Sequence, residues 1–217
     1  MSMMNGPVTT IDLLRHGQCE GGEIYRGSTD VPLTDLGWSQ MKASLGAETE
    51  LAGRAPWNAI VSSPLQRCRL FAEAQSEQLK VSAEINEAFR EMHFGDWEGR
   101  ELKEVWQADR EKVTQFYADP GEQSPPNGES MNAVKARLLP AWDELVEAQR
   151  GKHVLLVQHG GTIRILLSHL LKMPISAVTR LDIPYASLSR IQVFDAQGAV
   201  FPRLVFLNRA IADGTLV

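Results

Sequence analysis

The chain has 217 residues, 43% hydrophobic and 23% charged, a composition that argues for one globular domain and against a disordered, fibrous or two-domain chain. Its 22 Lys and Arg against 27 Asp and Glu leave a formal charge of −5, so there is no broad basic surface for nucleic acid or an anionic membrane, and the cations for an anionic ligand must be local. Cys19 and Cys68, the only cysteines, lack metal or redox spacing and fit a reducing, cytoplasmic setting, and neither a secretory leader nor an apolar run of ~18 residues is seen.

In chain order, Val8 to Leu14 reads as a strand that stops at Arg15-His16-Gly17. An irregular, Gly-rich stretch from Gln18 to Val31 follows, and Thr34, with Asp35 in the first turn, is the N-cap of a helix towards Leu51. Trp57 to Val61 is a second strand. It runs into Ser62-Ser63-Pro64, where Ser63 suits the cap and Pro64 the first position of a helix carrying Arg67 and Phe71. Lys80 to Ile85 reads as a strand, Asn86 to Gly99 as a loop dense in titratable and aromatic residues, and Glu101 to Tyr117 as one helix. The Pro- and Gly-rich connector Asp119 to Ser130 completes an excursion around 100–130 that would cover a site. Ser130 caps a helix to about Arg150, with a kink expected at Pro140. His153 to Gln158 is an apolar strand ending at His159-Gly160-Gly161, before an apolar helix to Leu171. Two last strands, Leu188 to Phe194 and Val200 to Leu207, flank a turn at Asp195-Ala196-Gln197-Gly198.

The recurrence of strand, loop and helix predicts an α/β fold, a three-layer α/β/α sandwich around a mostly parallel sheet, as a single domain over 1–217. Ligands of such sheets sit beyond the carboxyl ends of the strands, and three predicted strands end in reactive groups: Arg15-His16, Ser62 to Arg67, and His159. A phosphate monoester dianion repels nucleophiles, so its cleavage needs fixed cations on the non-bridging oxygens, an in-line nucleophile and an acid at the leaving oxygen. Arg15 and Arg67 offer planar donor forks for an anion pocket, and a neutral imidazole at His16 is a suitable nucleophile near pH 7.

Four motifs in order, L-R-H-G-Q (Leu14 to Gln18), S-S-P-L-x-R (Ser62 to Arg67), E-x-x-F-G-D-W-E-G (Glu91 to Gly99) and V-Q-H-G-G (Val157 to Gly161), resemble the histidine phosphatase superfamily, which includes the phosphoglycerate mutases. The resemblance runs from about Leu13 to Arg209 and implies a phosphoglycerate mutase-like fold. It implies that His16 becomes the phosphohistidine, that His159 flanks the phosphoryl group with the Gly160 amide nearby, and that Glu91 is the acid and then the base.

The family's usual hydroxyl and Asn after R-H-G are replaced here by Cys19 and Gly22, so the substrate-binding set is expected to be Arg15, Gln18, Arg26, Gly27, Arg67 and Gly160, with backbone amides through Arg26-Gly27 completing the pocket. Cys19 would line the site and be open to oxidation. The cluster Glu91, His93, Asp96, Glu98 lacks helical metal-ligand spacing, and the phosphohistidine route needs neither metal nor cofactor. Trp97 reads as packing under the loop, and His153 and His169 as structural.

The segments Phe89 to Gly99, Pro126 to Ser130 and Val205 to Ala210 look most like α-ribazole phosphatases of cobalamin nucleotide-loop assembly, which implies a small-molecule phosphate ester as partner. A broad-specificity phosphatase, a phosphoglycerate mutase and a non-catalytic phospho-ligand binding protein stay open as alternatives, as does the oligomeric state, a homodimer among the options.

Overall fold

Short β-branched runs form a mixed sheet in the computed structural model, which describes residues 6–196 and 199–209. Strands β1 (Val8–Arg15), β2 (Ala59–Ser62), β3 (Ser82–Ile85) and β4 (His153–Gln158) are parallel. The hairpin of β5 (Leu188–Ala196) and β6 (Ala199–Arg209) joins β1 antiparallel, giving the order β3-β2-β4-β1-β5-β6 among the described residues. Alternation along the strands feeds two apolar layers. Ile11, Leu13, Leu156 and Ile191 pack under α5 (Met131–Ala148) and α6 (Gly160–Leu170), while Leu14, Ile60, Val157 and Leu188 pack under α1 (Asp35–Ala52) and α2 (Gln66–Leu79). The α/β/α sandwich with a mostly parallel centre is therefore the observed architecture. Because β2, β4 and β1 are adjacent and parallel, Ser62-Ser63, His159 and Arg15-His16 emerge at one edge.

Thr34 caps α1 as expected, its side chain accepting from the Gly37 amide. Elsewhere tertiary contacts override local signals. The second helix starts at Gln66, not Pro64, with Leu65 at the cap position and no side-chain cap; the Ser63 hydroxyl accepts from the Leu65 amide at 3.3 Å and from His159 instead. The helix expected from Glu101 to Tyr117 is two, α3 (Leu102–Ala108) and α4 (Arg110–Ala118). Asp109 breaks it by turning its carboxylate to the Trp97 indole N–H at 3.2 Å and to Arg100. α5 runs through Pro140 as one helix, ending at Ala148. In the predicted last turn, Gln197 and Gly198 lie outside the described residues, as does Ala210.

One buried charge ties the sheet to its flanking helix. Asp12, fully buried on β1, accepts from the Trp57 indole (2.9 Å), His153 Nε2 (2.9 Å) and Arg190 on β5 (2.7 and 2.9 Å). Arg190 also reaches Glu48 of α1 at 2.7 Å, and Glu48 is bridged to Arg209 of β6. Burial alone would push the Asp12 carboxyl up, but hydrogen bonds from Arg190 and His153 and their charges outweigh it and leave it below its ordinary 3.8. A group with a depressed folded pKa stabilises above its unfolded value and loses that contribution as pH falls through the folded one. Asp12→Ala is expected to lower the unfolding free energy by about 3 kcal/mol at pH 7, since it removes the shared acceptor of the Trp57 indole, His153 and two Arg190 donors and leaves Arg190 with Glu48 alone. Urea titrations will show the deficit constant near neutrality and shrinking only below the ordinary 3.8 of the carboxyl.

Candidate active site

At the sheet edge, His16 and His159 meet edge to face, with ring centroids 5.2 Å apart and planes inclined at 62°. Both are buried, and their hydrogen-bond partners fix their tautomers. His16 Nδ1 lies 2.8 Å from the Gly17 carbonyl, which can only accept, so Nδ1 carries the proton and Nε2 the lone pair. At His159 the order is reversed: the Arg67 Nε–H donates to Nδ1 at 3.2 Å, so Nε2 is the protonated nitrogen and donates to the Ser63 hydroxyl at 2.7 Å. Burial first, then the charges of Arg67 and Arg15, push His16 well below the usual imidazole range. Burial and Arg67 do the same for His159. Both rings are neutral at pH 7.

A cleft of about 450 Å³ opens over this edge, lined by Arg15, His16, Arg26, Glu91, Gly160, Gly161 and Arg164. Arg15 donates to the Ile183 carbonyl at 2.5 Å, and its guanidinium carbon lies 4.0 Å from the Tyr185 ring centroid. Arg26 donates to the Glu20 and Gly22 carbonyls at 2.7 and 2.8 Å. The Nε groups of both Arg15 and Arg26 are buried without a protein partner. Glu91 is seated by backbone amides, Oε2 accepting from Gly161 at 2.9 Å and Oε1 from Met92 at 3.0 Å. A Cβ on Gly161 would fall 2.5 Å from Glu91 Oε1, so any other residue there would displace the carboxylate from its seat. Arg137 of α5 holds the loop that carries Glu91, donating to the carbonyls of Ala88, Arg90 and Glu91.

The structure thus brings Arg15, His16, Arg26, Glu91 and Gly160 to one cleft, with His159 and Arg67 buried behind it. Arg67 does not present an open fork. Its donors are turned onto the carbonyls of Thr29 (2.9 Å) and Gly27 (2.7 Å) and onto His159.

Gln18 and Gly27 do not line the cleft. Gln18 is exposed and joins Thr34 and Gln40, because the Gly17-Gln18 turn packs on the start of α1. The Gly27 amide is taken by Glu98, and the Gly-rich loop turns carbonyls rather than amides inward, onto Arg26. Cys19 lies behind His16, Sγ 3.3 Å from Nδ1, and burial pushes its thiol up, which disfavours the reactive thiolate. The cluster of Glu91, His93, Asp96 and Glu98 disperses to separate partners, His93 to the Gly95 amide and Asp96 to Asn127.

Sequence reasoning missed Ser63 as the partner of His159, Arg137, Tyr185 and above all Glu98, whose carboxylate accepts from Ser28 (2.8 Å), Thr29 (3.0 Å), Gly27 (3.3 Å) and Phe94 (2.8 Å) amides. Those amides, with the Thr29 hydroxyl, hold its carboxyl below the usual range against the effect of burial.

A family model described as histidine phosphatase superfamily (branch 1) matches residues 11–204. A bifunctional protein of Mycobacterium tuberculosis is 36% identical over 202 residues, 92% of this chain and 54% of that protein, so the chain spans about half the length of this relative. An adenosylcobalamin/alpha-ribazole phosphatase of Salmonella typhimurium is 29% identical over 90% of this chain and 94% of its own length. The solved native structure of a mycobacterial glucosyl-3-phosphoglycerate phosphatase superposes with a TM-score of 0.80 at 29% identity, covering 94% of this chain and 100% of that one.

The depressed histidines make stability depend on pH. Between their folded values and the ordinary 6.5 the unfolded chain binds more protons than the folded one, so stability falls as pH drops below 6.5 and is flat above it. Urea unfolding from pH 7.5 to 5.5 is expected to lose up to about 1.4 kcal/mol per pH unit for each histidine. His16→Gln will remove about half of that slope.

Proposed function

The chain belongs to the histidine phosphatase superfamily, and on that premise we propose that it is a phosphomonoesterase acting on small-molecule phosphate esters through a phosphohistidine at His16. The observation that carries this reading is the tautomer of His16: a neutral ring whose Nδ1–H is spent on Gly17 and whose Nε2 lone pair remains for attack, on a side chain that lines the cleft beside Arg15. In the first step Nε2 forms the N–P bond, the ester O–P bond breaks, and the leaving alkoxide takes a proton from Glu91. In the second, water forms the new O–P bond, the N–P bond breaks, and the water proton passes to the Glu91 carboxylate.

Arg15 and Arg26 bring their buried, unpartnered Nε–H groups to the non-bridging oxygens. Arg67 contributes its charge and holds His159, whose Nε2–H, shared with Ser63, is the donor for a phosphoryl oxygen. The Gly160 amide at the α6 N-terminus adds a positive dipole end.

For the ester itself, the cleft walls beyond Arg15 are Ile24, Tyr25, Met92, Phe94, Phe116 and Tyr117. Apolar and aromatic walls suit a leaving group with a planar ring better than a triose. That supports α-ribazole 5′-phosphate, the substrate class named for the Salmonella relative, in cobalamin nucleotide-loop assembly. A second reading, a sugar-linked phosphoglycerate, is favoured by Arg164, which lines the same cleft, donates to the Leu181 carbonyl and has no acidic partner among the described residues. It would suit a carboxylate, as in the substrate named for the mycobacterial structure.

His16→Ala is expected to lower kcat by more than about a thousandfold and to abolish acid-labile phosphoenzyme; retained phosphatase activity would sink the mechanism. Side-by-side assays of α-ribazole 5′-phosphate, glucosyl-3-phosphoglycerate and 3-phosphoglycerate should give the first the highest kcat/KM, by at least about tenfold. A preference for glucosyl-3-phosphoglycerate that disappears in Arg164→Leu would establish the second reading instead.

A further inference from the structure

Tyr185 stands in no motif of the sequence, yet it touches Arg15 and Arg26, two of the three arginines that line the cleft. The Arg15 guanidinium stacks on its ring at 4.0 Å, its hydroxyl lies 3.5 Å from Arg26 Nη1, and its ring centroid is 5.6 Å from that of His16. Arg15 has no acidic partner among the described residues, and its one side-chain hydrogen bond runs from Nη1 to the Ile183 carbonyl. A single such bond leaves rotation about the N–H···O axis free, whereas a flat ring beneath the guanidinium removes it.

The tyrosine is itself held in register with the reacting groups. Ala186 adopts a left-handed φ of 53°, its amide donates to the His16 carbonyl at 3.1 Å, and its carbonyl accepts from Ser44 of α1 at 2.6 Å. The Arg15 amide donates to the Ser187 carbonyl at 3.1 Å. The turn that carries the ring is therefore bolted to Arg15, the last residue of β1, and to His16, which follows it.

Resting on the phosphatase reading above, we propose that Tyr185 is a positioning residue of the phosphoryl site: its ring is the platform that sets the plane of the Arg15 guanidinium, and its hydroxyl draws Arg26 to the same anion. Tyr185 acts through the arginines, so its removal weakens ground state and transition state alike. Affinity then falls while the rate of the bound complex is largely kept.

Inorganic phosphate has no leaving group, so its binding isolates this role from contact with an aglycone. Calorimetry with inorganic phosphate, kinetics with an aryl phosphate and thermal unfolding would be measured on wild type, Tyr185→Leu, Tyr185→Phe and Tyr185→Trp. Tyr185→Leu is expected to weaken phosphate binding and raise KM about tenfold, with kcat within about threefold and an unchanged Tm, because a stacked cation loses its ring. The Phe and Trp variants keep a π face and are expected to restore phosphate affinity to within about threefold. Phosphate affinity unchanged in Tyr185→Leu overturns the proposal, and so do Phe and Trp variants that bind phosphate about tenfold more weakly, a result that decides the matter even if the Leu variant does not fold. Wild-type protein that binds no phosphate overturns the phosphatase reading itself, and this proposal with it.

Discussion

The buried guanidinium of Arg67, held by backbone carbonyls instead of carboxylates, is the constraint from which the rest of the site follows. A carboxylate partner would satisfy its donors and also cancel its charge. Carbonyl dipoles satisfy the donors and leave the charge in place. The same device recurs at Arg26, on Glu20 and Gly22, and in part at Arg137, where the carbonyls of Ala88, Arg90 and Glu91 share the guanidinium with Glu129. Positive potential is thereby concentrated at one sheet edge of a chain whose overall charge is −5. Net charge said little about the sign of the ligand, because the field that matters is set by a few desolvated groups.

Carbonyl cages need loops of defined shape, and here Glu98 supplies the shape. Its carboxylate gathers the amides of residues 27–29 on one side of the backbone, which turns the Gly27 and Thr29 carbonyls the other way, onto Arg67. Arg67 in turn fixes the tautomer of His159, and burial, helped by the charges of Arg67 and Arg15, keeps both histidines neutral. A carboxylate that touches neither histidine thereby helps to set the tautomer of His159 through Arg67. The chain of cause runs Glu98, loop, Arg67, His159, each link a hydrogen bond with defined donor and acceptor.

This chain of cause explains what was legible in the sequence. Strand ends and the residues on them, Arg15, His16, Ser63 and His159, follow from hydrophobic periodicity and chain order, so the sheet and the histidine pair could be read directly. Where a donor is spent could not. Gln18 and Gly27 sit in the right motifs, but Gln18 turns to Thr34 and the Gly27 amide to Glu98, and only the folded loop decides that. The break at Asp109 is of the same kind: a helix-compatible stretch yields to one carboxylate with a buried indole N–H within reach. Glu98 was visible as a letter in F-G-D-W-E-G but not as a clamp, since all its partners except the Phe94 amide lie ~70 residues earlier in the chain.

The arginines of the site fall into two kinds, and the difference is physical. Arg67 is caged and wholly buried; Arg15 and Arg26 reach the cleft, each with a buried Nε–H that has no protein acceptor. An unsatisfied buried donor costs about 1–3 kcal/mol, more when charged, and is rare in folded chains. Two of them on arginines that line one cleft fit an anion-binding role better than a merely structural one. In the Asp12–Arg190–Glu48 network, by contrast, the Nε and Nη2 of a structural arginine are taken by carboxylates. Gln158 and Ser187 also carry buried side-chain groups without a partner, but only the two arginine donors are cationic and belong to residues that line the cleft, and an anion with several equivalent oxygens is the acceptor that meets both at once.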